Sequence, residues 1–145
     1  PDNNNIDKKE KNDRIEIFYD KYHFELSEFV KKKKRIYEKV FLISIHSFTK
    51  KSKKFNRGIE VGLLWNKNMN LLLPIQRELK VKNIFFGRNF PYSGFHFNYT
   101  LDRLYNDLLL DSILIEIRND LICYEKGITK YVDIFSKILN KFLND

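Results

Sequence analysis

The stretch Ser112-Ile113-Leu114-Ile115-Glu116-Ile117 decides the fold. It is a short run of β-branched and aliphatic residues, the pattern of a strand buried within a sheet. Downstream, apolar residues at 128, 131, 132, 135, 138, 139 and 142 fall at helical spacing, the strongest periodicity in the chain. Upstream, Tyr99 to Leu109 reads as a helix with Thr100 as a candidate cap. Before it lies an aromatic loop, Phe90 to Asn98, built around Pro91 and Gly94.

The same alternation continues towards the N-terminus. Asn83 to Gly87 and Ile59 to Trp65 read as strands, and Met69 to Leu79 between them as a helix that Pro74 interrupts. Val40-Phe41-Leu42-Ile43-Ser44-Ile45 reads as a buried strand that delivers His46 at its C-terminal end. Residues 49 to 57 form a basic loop. Apolar residues at 15, 18, 19, 22, 26, 29 and 30 predict a helix from about Arg14 to Lys34. Lys31, Lys32, Lys33, Lys34 and Arg35 close it, where cations complement the helix dipole. Residues 1–13 are polar and aperiodic and are expected to form a loose tail, leaving 14–145 as one domain. Strands alternating with helices predict an α/β domain with helices on both faces of a sheet. Ligands in such sheets gather beyond the strand carboxyl ends, near His46 and Glu116.

Composition narrows the function classes. With 145 residues and 43% hydrophobic content, the chain suits one globular domain. A single cysteine, Cys123, excludes an internal disulfide framework and fits a reducing compartment. No apolar run reaches the ~18 residues of a membrane span, and no apolar leader is visible, so a cytoplasmic location is expected. The net charge of +8 favours acidic partners or reflects plain composition bias. The clusters Lys31 to Arg35 and Lys50 to Lys54 are the best nucleic-acid feature, but no docking motif accompanies them. A small acidic substrate is the expected partner, with nucleic acid the lesser alternative.

Some residues stand out for chemistry. His46, at the end of an apolar strand, is suited to binding zinc or moving a proton, or else is a hydrogen-bonded strand-end histidine. Glu116 sits in so apolar a strand that it needs a partner or a function. Arg118 shares its side of the strand, so the two form either a structural ion pair or a site in which Glu116 is a general base. Arg57 is suited to gripping a carboxylate with its planar fork, or is a solvated loop arginine. Asn89 and Tyr92 offer polar contacts to a ligand, or support a turn.

The ordered segments Tyr19-Asp20-Lys21-Tyr22-His23, Ile45-His46-Ser47-Phe48-Thr49, Arg57-Gly58-Ile59-Glu60-Val61-Gly62-Leu63-Leu64, Asn89-Phe90-Pro91-Tyr92-Ser93-Gly94, Tyr99-Thr100-Leu101-Asp102-Arg103 and Glu116-Ile117-Arg118-Asn119-Asp120-Leu121 resemble the N-formylglutamate amidohydrolase family. The likeness spans roughly residues 14 to 143. It implies a mixed α/β sheet between helices, related to the zinc carboxypeptidase fold. It implies hydrolysis of N-formyl-L-glutamate or a similar N-acyl amino acid to formate and glutamate. By the same resemblance His46 would be a zinc ligand, Glu116 the base acting on metal-bound water, and Arg57, Asn89 and Arg118 contacts to substrate carboxylates or to the scissile carbonyl; Tyr92, from the reading of its loop, is a further substrate-contact candidate. The family's other zinc ligands come from an upstream histidine followed by an acidic residue. Residues 1 to 13 contain no histidine, so the chain is expected to be a truncated C-terminal portion lacking N-terminal elements.

Overall fold

The computed structural model describes residues 4–53 and 55–144. Residues 1–3 of the expected tail and Lys54 of the basic cluster lie outside the described residues. The chain divides into two units, Pro1–Val40 and Phe41–Asp145.

The first unit is helical. Helix α1 (Lys8–Arg14) begins where a loose tail was expected. Its cause is local. The Asp7 carboxylate accepts from the Glu10 amide at 2.8 Å, and Lys9–Asp13 and Glu10–Arg14 pair four residues apart. Neither device leaves an apolar period, so periodicity alone passes over it. A π-helical turn, Ile15–Asp20, joins α1 to α2 (Lys21–Ile36). Within this unit the His23 imidazole Nδ1 meets the Tyr19 carbonyl at 2.8 Å. The basic end of α2 is engaged with its own helix: Lys31 pairs with Glu28, and Lys33 lies over the rings of Phe29 and Tyr37.

The second unit holds a four-stranded sheet: β1 (Phe41–Phe48), β2 (Val61–Leu64), β3 (Phe86–Arg88) and β4 (Asp111–Arg118), in spatial order β1-β4-β2-β3. β1 runs parallel to β4, β2 antiparallel to β4 and β3 parallel to β2, so the sheet is mixed. Helix α3 (Leu72–Val81) follows β2. Pro74 lies in its first turn, where a missing amide costs nothing, so the helix is not interrupted. The third strand lies one to three residues later than its sequence reading, because Asn83 takes a left-handed conformation (φ 54°) that ends the α3 turn. A short α4 (Gly94–Phe97) and then α5 (Tyr99–Leu108) lead back to β4, with Thr100 inside α5 rather than capping it. Helix α6 (Glu125–Asn144) closes the chain.

Period-two alternation in β4 sorts the two faces. Ile113, Ile115 and Ile117 join Val61 and Leu63 in the main core against Leu72, Ile75 and Leu79 of α3 and Tyr131, Phe135 and Ile138 of α6. Leu114 turns the other way, to Leu64 and Leu101 of α5, with Leu42 and Tyr92 alongside. Helices therefore cover both faces, as expected. Glu116 belongs to the Leu114 face, which is the thinner of the two.

Candidate active site

Register assembles the site. His46 on β1 lies directly beside Glu116 on β4, which lies beside Gly62 on β2, which lies beside Gly87 on β3. One row thus crosses the whole sheet as His–Glu–Gly–Gly. The glycines are a steric requirement. A Cβ on Gly62 would stand 2.7 Å from the Phe90 carbonyl oxygen and 3.2 Å from the Glu116 Cβ, and one on Gly87 would be 3.0 Å from that same carbonyl. The loop carrying Phe90-Pro91, joined by a cis peptide, lies over the space they leave. Nothing in the composition or periodicity singles out Gly62. The available signal is a glycine inside a buried strand.

Glu116 is 5% exposed, and its Oε2 has no hydrogen-bond partner. Burial raises its affinity for a proton above that of an ordinary carboxylate, while the charges of His46 and Arg57 pull it part of the way back. His46 Nδ1 stands 4.0 Å from Glu116 Oε1, and the imidazole is 57% exposed. It lies inside β1, two residues short of the strand end, rather than beyond it.

Arg57 is buried at 9% exposure, which removes the alternative of a solvated loop arginine. Its Nη1 donates to the Thr49 carbonyl and hydroxyl, both at 3.2 Å, and to the Tyr92 hydroxyl at 3.0 Å. The guanidinium carbon lies 4.9 Å from the Tyr92 ring centre and 5.9 Å from that of Phe48. Its Nε is buried without a partner. Arg57 Nε and Glu116 Oε2 are thus two orphaned polar atoms of opposite character, and the charge of Arg57 acts on Glu116. Buried orphans of this kind call for an explanation such as a ligand. Thr49 was missed in the sequence; it lies three residues past His46, and only the fold gives it a role.

The expected pairing of Glu116 with Arg118 does not form. Arg118 Nε donates to Asp120 Oδ1 at 2.7 Å, and its Nη1 to the carbonyls of Ile59 and Gly58 at 3.1 and 3.3 Å. The cause is the 3-10 turn Asn119–Leu121, which begins at the end of β4 and brings Asp120 against Arg118. Asn89 has a left-handed backbone (φ 47°), and its Oδ1 accepts from the amides of Gly94 at 2.9 Å and Trp65 at 3.1 Å. It braces the aromatic loop. Asn66, Asn98 and Asp102 form a separate polar cluster beside α5.

A catalytic zinc takes three protein ligands. Among the described residues no three His, Cys, Asp or Glu side chains stand close enough to hold a metal ion. His46 and Glu116 are two donors, so these residues do not by themselves fit that shell.

The candidate site thus brings a buried carboxylate, Glu116, into the field of a buried arginine, Arg57. The chain belongs to the N-formylglutamate amidohydrolase family, whose model matches residues 2–123. A solved structure of the gene product Atu2144 from Agrobacterium tumefaciens is similar over 98% of this chain and 58% of that one, with 28% identity and a TM-score of 0.83. N-formylglutamate amidohydrolase from Ralstonia eutropha JMP134 is similar over 82% of this chain and 45% of that one, with 24% identity and a TM-score of 0.60, a likeness of fold. This chain thus spans 45–58% of the length of the solved relatives it matches. No curated protein matches it. No helix among the described residues is long and apolar enough to cross a membrane.

Proposed function

We propose that this site hydrolyses the amide of N-formyl-L-glutamate or a similar N-acyl amino acid. Family membership supports the reaction class. The observation that carries the assignment of roles is that Glu116 Oε2 and Arg57 Nε are both buried without a partner, with the charge of Arg57 acting on Glu116. Glu116 accepts a proton from water while the water oxygen bonds to the formyl carbon. The carbon–nitrogen bond then breaks, and the proton passes to the leaving amine, giving formate and glutamate. A carboxylate whose proton affinity is raised by burial is a better base for that step than an ordinary one. Arg57 holds a substrate carboxylate through its Nε edge, and Tyr92 orients that guanidinium. His46 supports the ionised form of Glu116. Zinc on His46 is what the resemblance adds; it requires donors beyond those assembled here.

The test is formate release from N-formyl-L-glutamate by the purified chain, with and without added zinc, beside Glu116→Gln. Release that Glu116→Gln abolishes supports the reading. Arg57-dependent binding without release makes the chain a carboxylate-binding relative that has lost catalysis. Neither binding nor release overturns the proposal.

A further inference from the structure

We propose that Arg118 is a positioning residue for Arg57, acting through a clasp with Asp120. The clasp deepens the role given to Arg57 above and rests on that reading only for its consequence for substrate. The clasp itself stands on geometry.

The Arg118 side chain is 11% exposed and does not reach Glu116. Its two carbonyl acceptors, on Gly58 and Ile59, belong to the two residues that follow Arg57 in the chain. On the other side, the Arg57 amide donates to the Lys50 carbonyl at 2.8 Å. The Lys50 ammonium in turn stands 3.8 Å from Asp120 Oδ2, while Asp120 Oδ1 takes the Arg118 Nε. Asp120 therefore lies between the two residues that grip the Arg57 backbone from before and behind. The Arg118 amide also donates to the Glu60 carbonyl at 2.9 Å, which ties the end of β4 to the same segment.

This arrangement explains why arginine suits position 118. A planar guanidinium directs Nε at a carboxylate and Nη1 at two carbonyls at once, whereas a lysine ammonium is a single point on a flexible stem. It also explains how a loop holds a buried arginine in place. The Arg57 side chain is long, so a small displacement of its backbone carries the guanidinium away from Tyr92 and out of the field of Glu116. Misplacement of a positioning group by about 1 Å is enough to weaken catalysis by orders of magnitude.

The experiment reads Arg57 directly. In the full chain, the Nε–H signal of Arg57 is assigned by its loss in Arg57→Lys, and its exchange with solvent is followed by NMR. The Ile115 amide in the sheet centre reports global opening in the same samples. In Arg118→Lys, and in the milder Asp120→Asn, Arg57 Nε–H exchange is expected to rise roughly tenfold or more while Ile115 exchange stays unchanged. Equal acceleration at both sites, or no acceleration at Arg57 in either folded variant, overturns the clasp. Should Arg118→Lys fail to fold, Asp120→Asn alone decides the matter. Titration of the same samples with N-formyl-L-glutamate keeps the two proposals apart. Faster Arg57 exchange with no ligand binding even in the unaltered chain upholds the clasp and overturns the substrate.

Discussion

Glu116 has two flanks, and they are built differently. On the Arg57 side every element is fixed. The guanidinium is buried, its Nη1 has three acceptors, and its backbone is held at both ends. On the His46 side one exposed imidazole stands 4.0 Å from the carboxylate. The first flank is preorganised, so the binding proposed for it requires no reordering. The second is open to solvent at a β1 position, on the outermost strand of the described sheet. The contrast separates a buried, hydrogen-bonded arginine on one side of the carboxylate from an exposed imidazole on the other.

That contrast can be broken at several points. The largest effect is expected at the hinge between the flanks. Gly62→Ala puts a Cβ against the Phe90 carbonyl and Glu116, and overpacking of that kind costs about 1–3 kcal/mol or more. Urea unfolding checks it, and an unchanged midpoint would show that the loop over Glu116 yields easily. Next comes the asymmetry itself. Arg57→Ala strips acceptors from Thr49 and Tyr92 of their donor and is expected to cost about 2 kcal/mol, whereas exposed His46→Ala should stay within about 0.5 kcal/mol. Equal losses would refute the two-flank account.

Glu116→Gln has the opposite sign. The folded chain holds the Glu116 proton more tightly than the unfolded chain does, so its contribution is full below about its ordinary value of 4.5 and is lost as pH rises through the raised folded value. The glutamine variant should therefore be more stable than the parent at neutral pH and lose that advantage at pH 4. Thermal melts at both pH values check the crossover. The smallest effect lies away from the site. Leu109 ends α5 in the left-handed region (φ 49°) and is exposed, so Leu109→Gly should stabilise the chain by up to about 1 kcal/mol without touching ligand binding.

Much of this was legible in the sequence, for physical reasons that differ by element. β4 and α6 declare themselves because core burial imposes a period, and the ordered segments around His46, Arg57 and Glu116 carry the family. Helix α1 was not legible as a helix, since caps and charge pairs hold it rather than an apolar stripe. The partner of Arg118 was misread because strand alternation says which side a residue faces but not what the chain does after the strand ends. Asp120 and the carbonyls of Gly58 and Ile59 are brought together by that turn and by pairing across 60 residues of sequence. Backbone acceptors of this sort carry no residue-type signal at all.

The most direct measurement is the carbon-13 titration of the Glu116 side-chain carboxyl in the folded chain, repeated in Arg57→Met. The account predicts a midpoint above 4.5 in the parent and a further rise in the variant, because removing the cation leaves burial unopposed on that flank. A parent midpoint at or below 4.5, or one that Arg57→Met leaves unmoved, would contradict it.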